Sequence, residues 1–495
     1  MKYGITFYLL LTVLGIAQAR FEFTPTARNA YEQALSLRLE EARLTLAHLK
    51  RTDADNLIAY HIENYLDFLV LYLQQNEADY KRLKKNQEAR LAKIQQGNTK
   101  SPYYLYTQAD VRLQWALIKL RFGDYLSAFS DISKAHKLLQ KNQERFPDFL
   151  PNLKDLGVLH ALVGTIPDHY RWSVRLLGGL TGTVAQGRRE LNTVLQKARQ
   201  QDFIFKTETG VMLATILLYL ESDGEGAWQT LKTVHLQPES NPLHCFVLAN
   251  VAMRSGRNDT AITLLENCPK YKAFAQVPQL EFLLGLAKLR RLDTDANVHF
   301  NRFLQQCRSE DGIKETYQKL AWNELIKGNT QGYRRCMKAV LAHGKANTGA
   351  DKDALQEAKA SRLPHVSLIK ARLLFDGGYF QNAHQQLEHL SSTDFLDKIS
   401  RLEYLYRMGR ILQGMENWDE ALGFYYRTIE QGRTEPFFYA CNAALQAGLI
   451  CEKRKDLNRA KEFYNTCLNI HPAEYKTELH QKAKSGLERL KEGAK

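Results

Sequence analysis

Two stretches near the C-terminus carry the same pattern of small and bulky residues 39 positions apart, and few folds accept such a pattern. Leu405, Gly409, Leu412, Trp418, Ala421 and Tyr425 make the first. Ala444, Gly448, Cys451, Leu457, Ala460 and Tyr464 make the second, which Pro472 closes. These spacings fit two helices joined by a tight turn, with small residues on one helix opposite bulky ones on the other. Such a pair cannot bury its apolar face alone and must stack on a neighbour. The repeat therefore predicts an all-α chain, an α-solenoid of stacked helix–turn–helix units.

Degenerate copies extend the array. Trp115, Ala116, Tyr125, Ala128, Ile132 and Ala135 form one. Leu248, Ala249, Ala252, Ala261, Leu265 and Cys268 form another, and Ala371, Leu374, Phe380, Ala383, Leu387 and Leu390 a third. Weaker copies centre on Ala42, Ala227, Ala296 and Gly332. Breakers fall between the paired helices at Gly123, Gly256, Gly328, Gly377-Gly378 and Gly414, where glycine can end a first helix in the left-handed conformation. A chain of 495 residues with only 12 prolines has room for a long helical array.

These residues resemble the tetratricopeptide repeat family. The two C-terminal units match it well, while the others keep the alanine of the second helix and often lose the glycine of the first. The resemblance implies a binding protein whose first helices line a concave wall. Carried over unit by unit, that wall holds Phe246, Asn250, Met253 and Arg254; then Leu368, Arg372 and Phe375; then Glu403, Tyr406, Arg410 and Gln413; then Asn442, Leu445, Leu449 and Glu452. Phe246, Asn250, Arg254, Arg372, Phe375, Tyr406, Arg410 and Gln413 are the candidate binding residues. Forked arginines and flat rings suit a protein or peptide partner. The chaperone-tail clamp of some relatives needs a set of lysines and asparagines, of which only Asn250 is in place.

The segment 157–191 breaks the repeat. Glycines stand at 157, 164, 178, 179, 182 and 187. The segment is similar to a signature of the inclusion-body-clearance and tetratricopeptide-39 group, with Ile166-Pro167 for its Leu-Pro pair and Gly179-Leu180-Thr181-Gly182 for its Gly-Phe-x-Gly turn. Gly187 and Leu191 keep the last spacing. In physical terms, Pro167 stops a helix, Gly178 and Gly179 allow a sharp turn, and Gly182 and Gly187 allow close helix contact. A second reading is an anion cradle, with Arg188 and Arg189 near a helix start.

Lys2, the apolar run from Ile5 to Ile16 and Ala17-Gln18-Ala19 read as an export signal over residues 1–19, with the mature chain starting at Arg20. The expectation is an exported, periplasmic or envelope-associated protein. The array then covers 20–340, a hinge or long loop covers 341–364, and the C-terminal repeats cover 365–495. After signal cleavage no transmembrane segment is expected. Val211 to Leu220 comes nearest and reads as a buried helix.

The formal charge is +14, from 68 basic and 54 acidic residues. An anionic lipid or polyanion is therefore the alternative partner. The densest basic run, Lys81 to Lys93, reads as an exposed helix face. No rings interleave with it, so no specific nucleic acid is expected. The seven cysteines show no close pair and read as small apolar packing residues, not as a disulfide framework. No zinc-protease, serine-elbow or phosphate-loop motif occurs, and Asp168-His169 reads as a polar helix start. The chain is read as non-catalytic, with no cofactor and no metal.

Overall fold

A computed structural model describes residues 19–164, 179–270 and 277–492. Among them there is no strand, only one isolated bridge between Arg20 and Asn56. The chain divides into two compact units, residues 1–72 with 78–156, and residues 73–77 with 157–495. Residues 1–18 of the expected export signal, and Pro167, Asp168, His169 and Gly178, lie outside the described residues.

The first unit is built from α1 (Pro25–Leu35), α2 (Leu39–Thr52), α3 (Ile58–Gln74), α4 (Glu77–Leu83), α5 (Asn86–Ile94), α6 (Pro102–Arg121) and α7 (Tyr125–Arg145), and α8 (Leu150–Gly164) runs out of it. The second unit continues with α9 (Val184–Lys197), α10 (Lys206–Leu220), α11 (Gly224–Thr233), α12 (Pro242–Arg254), α13 (Asn258–Glu266), α14 (Pro278–Arg291), α15 (Ala296–Gln306), α16 (Ile313–Ile326) and α17 (Thr330–Ala342). It ends with α18 (Gly349–Ala360), α19 (Val366–Asp376), α20 (Phe380–Gln385), α21 (Lys398–Gly414), α22 (Trp418–Gly432), α23 (Tyr439–Lys453), α24 (Leu457–Asn469) and α25 (Lys476–Glu492). Successive helices pack in pairs: α6 on α7, α12 on α13, α14 on α15, α16 on α17, α21 on α22 and α23 on α24.

The small-and-bulky pattern does what its spacing requires. A Cβ on Gly409 would stand 2.6 Å from the ring of Tyr425, and one on Gly448 would stand 2.6 Å from the ring of Tyr464. Both tyrosines are fully buried, as are Ala421, Ala444 and Ala460. Burying a side chain of this size contributes about 2–3 kcal/mol. The alanines of the weaker copies, Ala42, Ala227 and Ala296, are also fully buried. Two expected packing residues are instead exposed: Tyr125 at 67% and Leu457 at 42%. Each is the first residue of its second helix. It lies outside the contact, which begins one turn later at Ala128 and Ala460.

Turn chemistry follows the sequence in four places. Gly123, Gly256, Gly328 and Gly378 adopt φ of +77°, +73°, +81° and +84°, the left-handed geometry that costs glycine least. Gly414 differs. It ends α21 as a helical residue whose missing side chain admits the ring of Phe380. The left-handed position there belongs to Glu416 (φ +61°), and in the next repeat to Lys455 (φ +63°).

In the glycine segment, α8 and α9 meet backbone to backbone. A Cβ on Gly187 would strike the Gly157 carbonyl, and one on Gly182 would lie 2.6 Å from the His160 Cα. The start of α9 is already occupied. The Thr183 hydroxyl accepts from Gln186 N at 3.0 Å, and Arg188 pairs with Glu221 at 2.9 Å. Close packing, not an anion cradle, accounts for these glycines. The nearest approach to a spanning segment, Val211 to Leu220, lies in α10 and packs through Leu213, Ala214 and Leu217. No described helix is long and apolar enough to cross a membrane.

The stretch 341–364 contains α18, which is docked on its neighbours. Thr348 caps it, and Asp351, fully buried, accepts from Gly312 N at 2.8 Å and Glu315 N at 3.0 Å. One carboxylate thus ties the first turn of α18 to the free N–H groups at the start of α16. Ala354 and Ala358 pack with Ala321 and Val340.

Candidate partner-binding face

The eight candidate residues fall into three groups. Arg254, Arg372 and Arg410 keep access to solvent while their guanidinium planes lie over rings: Arg254 over Tyr219 at 4.7 Å, Arg372 over Trp322 at 4.8 Å, and Arg410 over Phe375 at 4.9 Å. Phe246, Asn250, Phe375 and Gln413 are half-buried. Asn250 donates to the Phe246 carbonyl at 3.3 Å, and Gln413 accepts from the Tyr425 hydroxyl. Tyr406 is a correction. It is only 3% exposed, its ring lies against Phe438 and Tyr439, and its hydroxyl accepts from Arg410 Nη1 at 3.2 Å and Asn442 Nδ2 at 2.7 Å. It positions Arg410 from beneath. Met253, Leu368 and Leu445 are likewise core, at 3%, 1% and 2% exposure.

The structure adds two cations to this face that sequence reasoning passed over, Arg290 on α14 and Lys319 on α16. Arg290 donates to the Met253 carbonyl at 3.4 Å, and its charge is felt by Asp376, Arg254, Glu315 and Arg372. Desolvation, with like charge from Arg254 and Arg372, holds its pKa below the usual guanidinium range, and it stays protonated. A signal for it stood in the sequence. Pro242 and Pro278 open α12 and α14, and Arg254 and Arg290 follow each at the same offset.

Lys319 lies 4.1 Å over Trp322, donates to Gln318 at 2.7 Å and has Glu315 at 3.8 Å. Burial pushes its ammonium below the ordinary lysine value, and the neighbouring Arg372 adds to this. Arg372 is 41% exposed. Desolvation opposes its charge as well, but Asp376, Glu403 and Glu357 outweigh that and raise its pKa.

The carboxylates on this side divide into tightly and loosely held. Glu403 is held by Arg407 at 3.1 Å. Glu357 accepts from Gln318 at 2.6 Å, Trp322 at 2.9 Å and Tyr333 at 3.2 Å. Glu315, 3.8 Å from Lys319, and the exposed Asp376, 4.0 Å from Arg372, are held more loosely. Among the described residues, no carboxylate lies within ion-pair distance of Arg254, Arg290 or Arg410. Cations on successive first helices thus exceed the acids available to them.

The first unit holds a different cluster that no motif announced. His61 meets Asp110 at 2.6 Å, Gln114 bridges Asp110 and Asn64, and Trp115 and Arg90 both donate to Asn64. Lys119, Gln87 and Arg112 converge on Asp131 at 2.6, 2.8 and 3.0 Å. Burial opposes the charge on Asp110, but Lys154 and His61 prevail and hold it below the usual carboxylate range. Arg90, expected on an exposed face, is 6% exposed and pairs with Asp67 at 2.7 Å. These groups satisfy one another out of reach of solvent, which suits a role in fixing the fold. Among the described residues, no group of histidine, cysteine and carboxylate side chains has metal-binding geometry.

No protein-family model and no curated protein matches the chain. Solved structures do. A monomeric mutant of IFIT1 with Gppp-AAAA is 15% identical, with 96% of this chain and 98% of that one covered and a TM-score of 0.30. Yeast Tom70 is 14% identical over 95% and 97%, with a TM-score of 0.23. A structure of Naa15/Naa10 bound to HypK-THB is 12% identical over 94% and 65%, with a TM-score of 0.22. It is the helix pairs themselves, with their glycine–tyrosine contacts, that give this chain its tetratricopeptide-type repeat architecture.

Proposed function

We propose that the second unit is a non-catalytic scaffold whose first-helix face holds an acidic, extended segment of a partner protein. The observation that carries this reading is the set of three arginines stacked on rings, Arg254, Arg372 and Arg410, of which Arg254 and Arg410 have no carboxylate within ion-pair distance among the described residues, as is also true of the neighbouring Arg290. Stacking fixes each guanidinium plane and leaves its edge free as a fork for a carboxylate. The same stacking argues against nucleic acid. Tyr219, Trp322 and Phe375 each have a face covered by the protein's own cations, so they offer a poor platform for bases. Asp376 and Glu315 stand among the cations. An unbroken row of phosphates would meet them at close range, whereas a peptide can turn a backbone N–H toward them.

A photo-crosslinking residue placed at Asn250 or Gln413 tests this directly. Glutamate-rich peptides should be captured at both positions, and their glutamine counterparts should not. Capture that ignores peptide charge, or capture of anionic vesicles alone, overturns the reading; the vesicle result would favour the second one, a lipid- or polyanion-binding solenoid suggested by the +14 charge. Export to a periplasm or envelope belongs to the proposal and rests on residues 1–19. An N-terminus at Arg20 in the mature protein supports it, and a retained Met1 contradicts it.

A further inference from the structure

In the last repeat, Cys441 on α23 and Cys467 on α24 meet with their sulfurs 3.5 Å apart. Both are fully buried. Twenty-six residues separate them in sequence, so spacing alone hides the pair. An earlier repeat makes a similar junction: Cys245 on α12, whose thiol donates to the Leu264 carbonyl at 3.2 Å, stands close to Cys268, just beyond α13. In each case one cysteine sits near the start of the first helix and the other at the end of the second.

We propose that Cys441 and Cys467 are a disulfide-forming pair that staples the first helix of the last repeat to its second. A disulfide needs sulfurs about 2.05 Å apart, so closure asks for a shift of about 1.5 Å between side chains already in contact. The co-reactant is a disulfide, small-molecule or protein. The Cys441 thiolate attacks one of its sulfurs, breaking that S–S bond and releasing one thiol as leaving group. The Cys467 thiolate then attacks the mixed disulfide and releases the second thiol. The chain gains one S–S bond and gives up two protons and two electrons, and the co-reactant is reduced to two thiols. The shared hydrogen bond eases ionisation of Cys441 and keeps the proton on Cys467, which fits Cys441 as the first nucleophile. Access requires α25 to lift, since the Cys467 thiol lies 3.8 Å from the Leu479 carbonyl of that helix.

The test uses the full chain. It is incubated folded with oxidised glutathione and, separately, refolded from the reduced denatured state in a glutathione redox buffer. Both samples are then alkylated in denaturant, digested and mapped by fragmentation mass spectrometry. The expected product links Cys441 to Cys467 and lacks two hydrogens, with Cys451 alkylated. The Cys467→Ser chain should leave Cys441 alkylated or carrying glutathione. Recovery of Cys441 and Cys467 as alkylated thiols from both arms, or a link from Cys441 to Cys451, overturns the proposal. Because the wild-type map decides the matter, a poorly folding serine variant does not blur it.

Discussion

A single methyl group separates the two fates of glycine in this chain. Gly448 faces one side of the Tyr464 ring and Gly486 faces the other, each so near that a Cβ would stand 2.6 Å from a ring atom. The ring cannot retreat, and its hydroxyl is tied to Glu452. Gly448→Ala should cost about 1–3 kcal/mol in a urea melt. Gly423, inside α22, has nothing within 4 Å of its missing Cβ, so Gly423→Ala should stabilise by about 0.5–1 kcal/mol. Equal effects from the two would contradict the packing described here.

His244 adds a pH dependence. Burial lowers its pKa to about 4 from 6.5, and its Nδ1 accepts from Gln237 N at 3.0 Å. The unfolded chain binds this proton first, so stability falls as pH drops through that window, by on the order of 2 kcal/mol. His244→Gln should remove that part of the slope between pH 7 and 4.5. An unchanged slope would place the titrating group elsewhere.

Whole elements were legible where packing repeats and obscure where polar groups hold the fold. The 39-residue pattern located α21 to α24 because glycine, alanine and tyrosine recur where helices touch. Helix α18 hid in a charged stretch because its anchor is one carboxylate, Asp351, acting on backbone N–H groups 36 to 39 residues away. Asp351→Ala strips those donors of their acceptor and should cost about 2–4 kcal/mol. Amides of residues 349–360 should then exchange faster while those of α23 hold. Uniform acceleration along the chain would deny α18 this separate anchor. The His61–Asp110 and Asp131 clusters were invisible for a similar reason, since their members come from helices up to 51 residues apart.

At the scale of the molecule, the repeat architecture was readable, and the burial of the candidate face only in part. Carry-over by position put Arg254, Arg372 and Arg410 on first helices with access to solvent, because first-helix register is set by the same contacts that define the repeat. It misplaced Tyr406, which a ring-lined recess drew into the core. It missed Arg290 and Lys319: the copy of Lys319 has alanine, Ala321, in its first helix, and the copy of Arg290 sets its first-helix glycine, Gly285, against a phenylalanine, Phe300, in place of the tyrosine. The cysteine pairs escaped because helix stacking, not sequence spacing, brings them together. Charge alone points to anions in general; the proposal of a peptide rests on the covered rings and on the carboxylates that stand among the cations.

The most direct measurement is fluorescence anisotropy of a labelled glutamate-rich peptide against the wild-type chain and the Arg290→Gln/Arg372→Gln/Arg410→Gln chain, at low and high salt, with urea melts to confirm equal folding. The expected result is an affinity that weakens with salt in the wild type and falls at least about tenfold in the variant, or about 1.4 kcal/mol. Equal binding by both chains, or equal wild-type affinity for a lysine-rich peptide, would contradict the account.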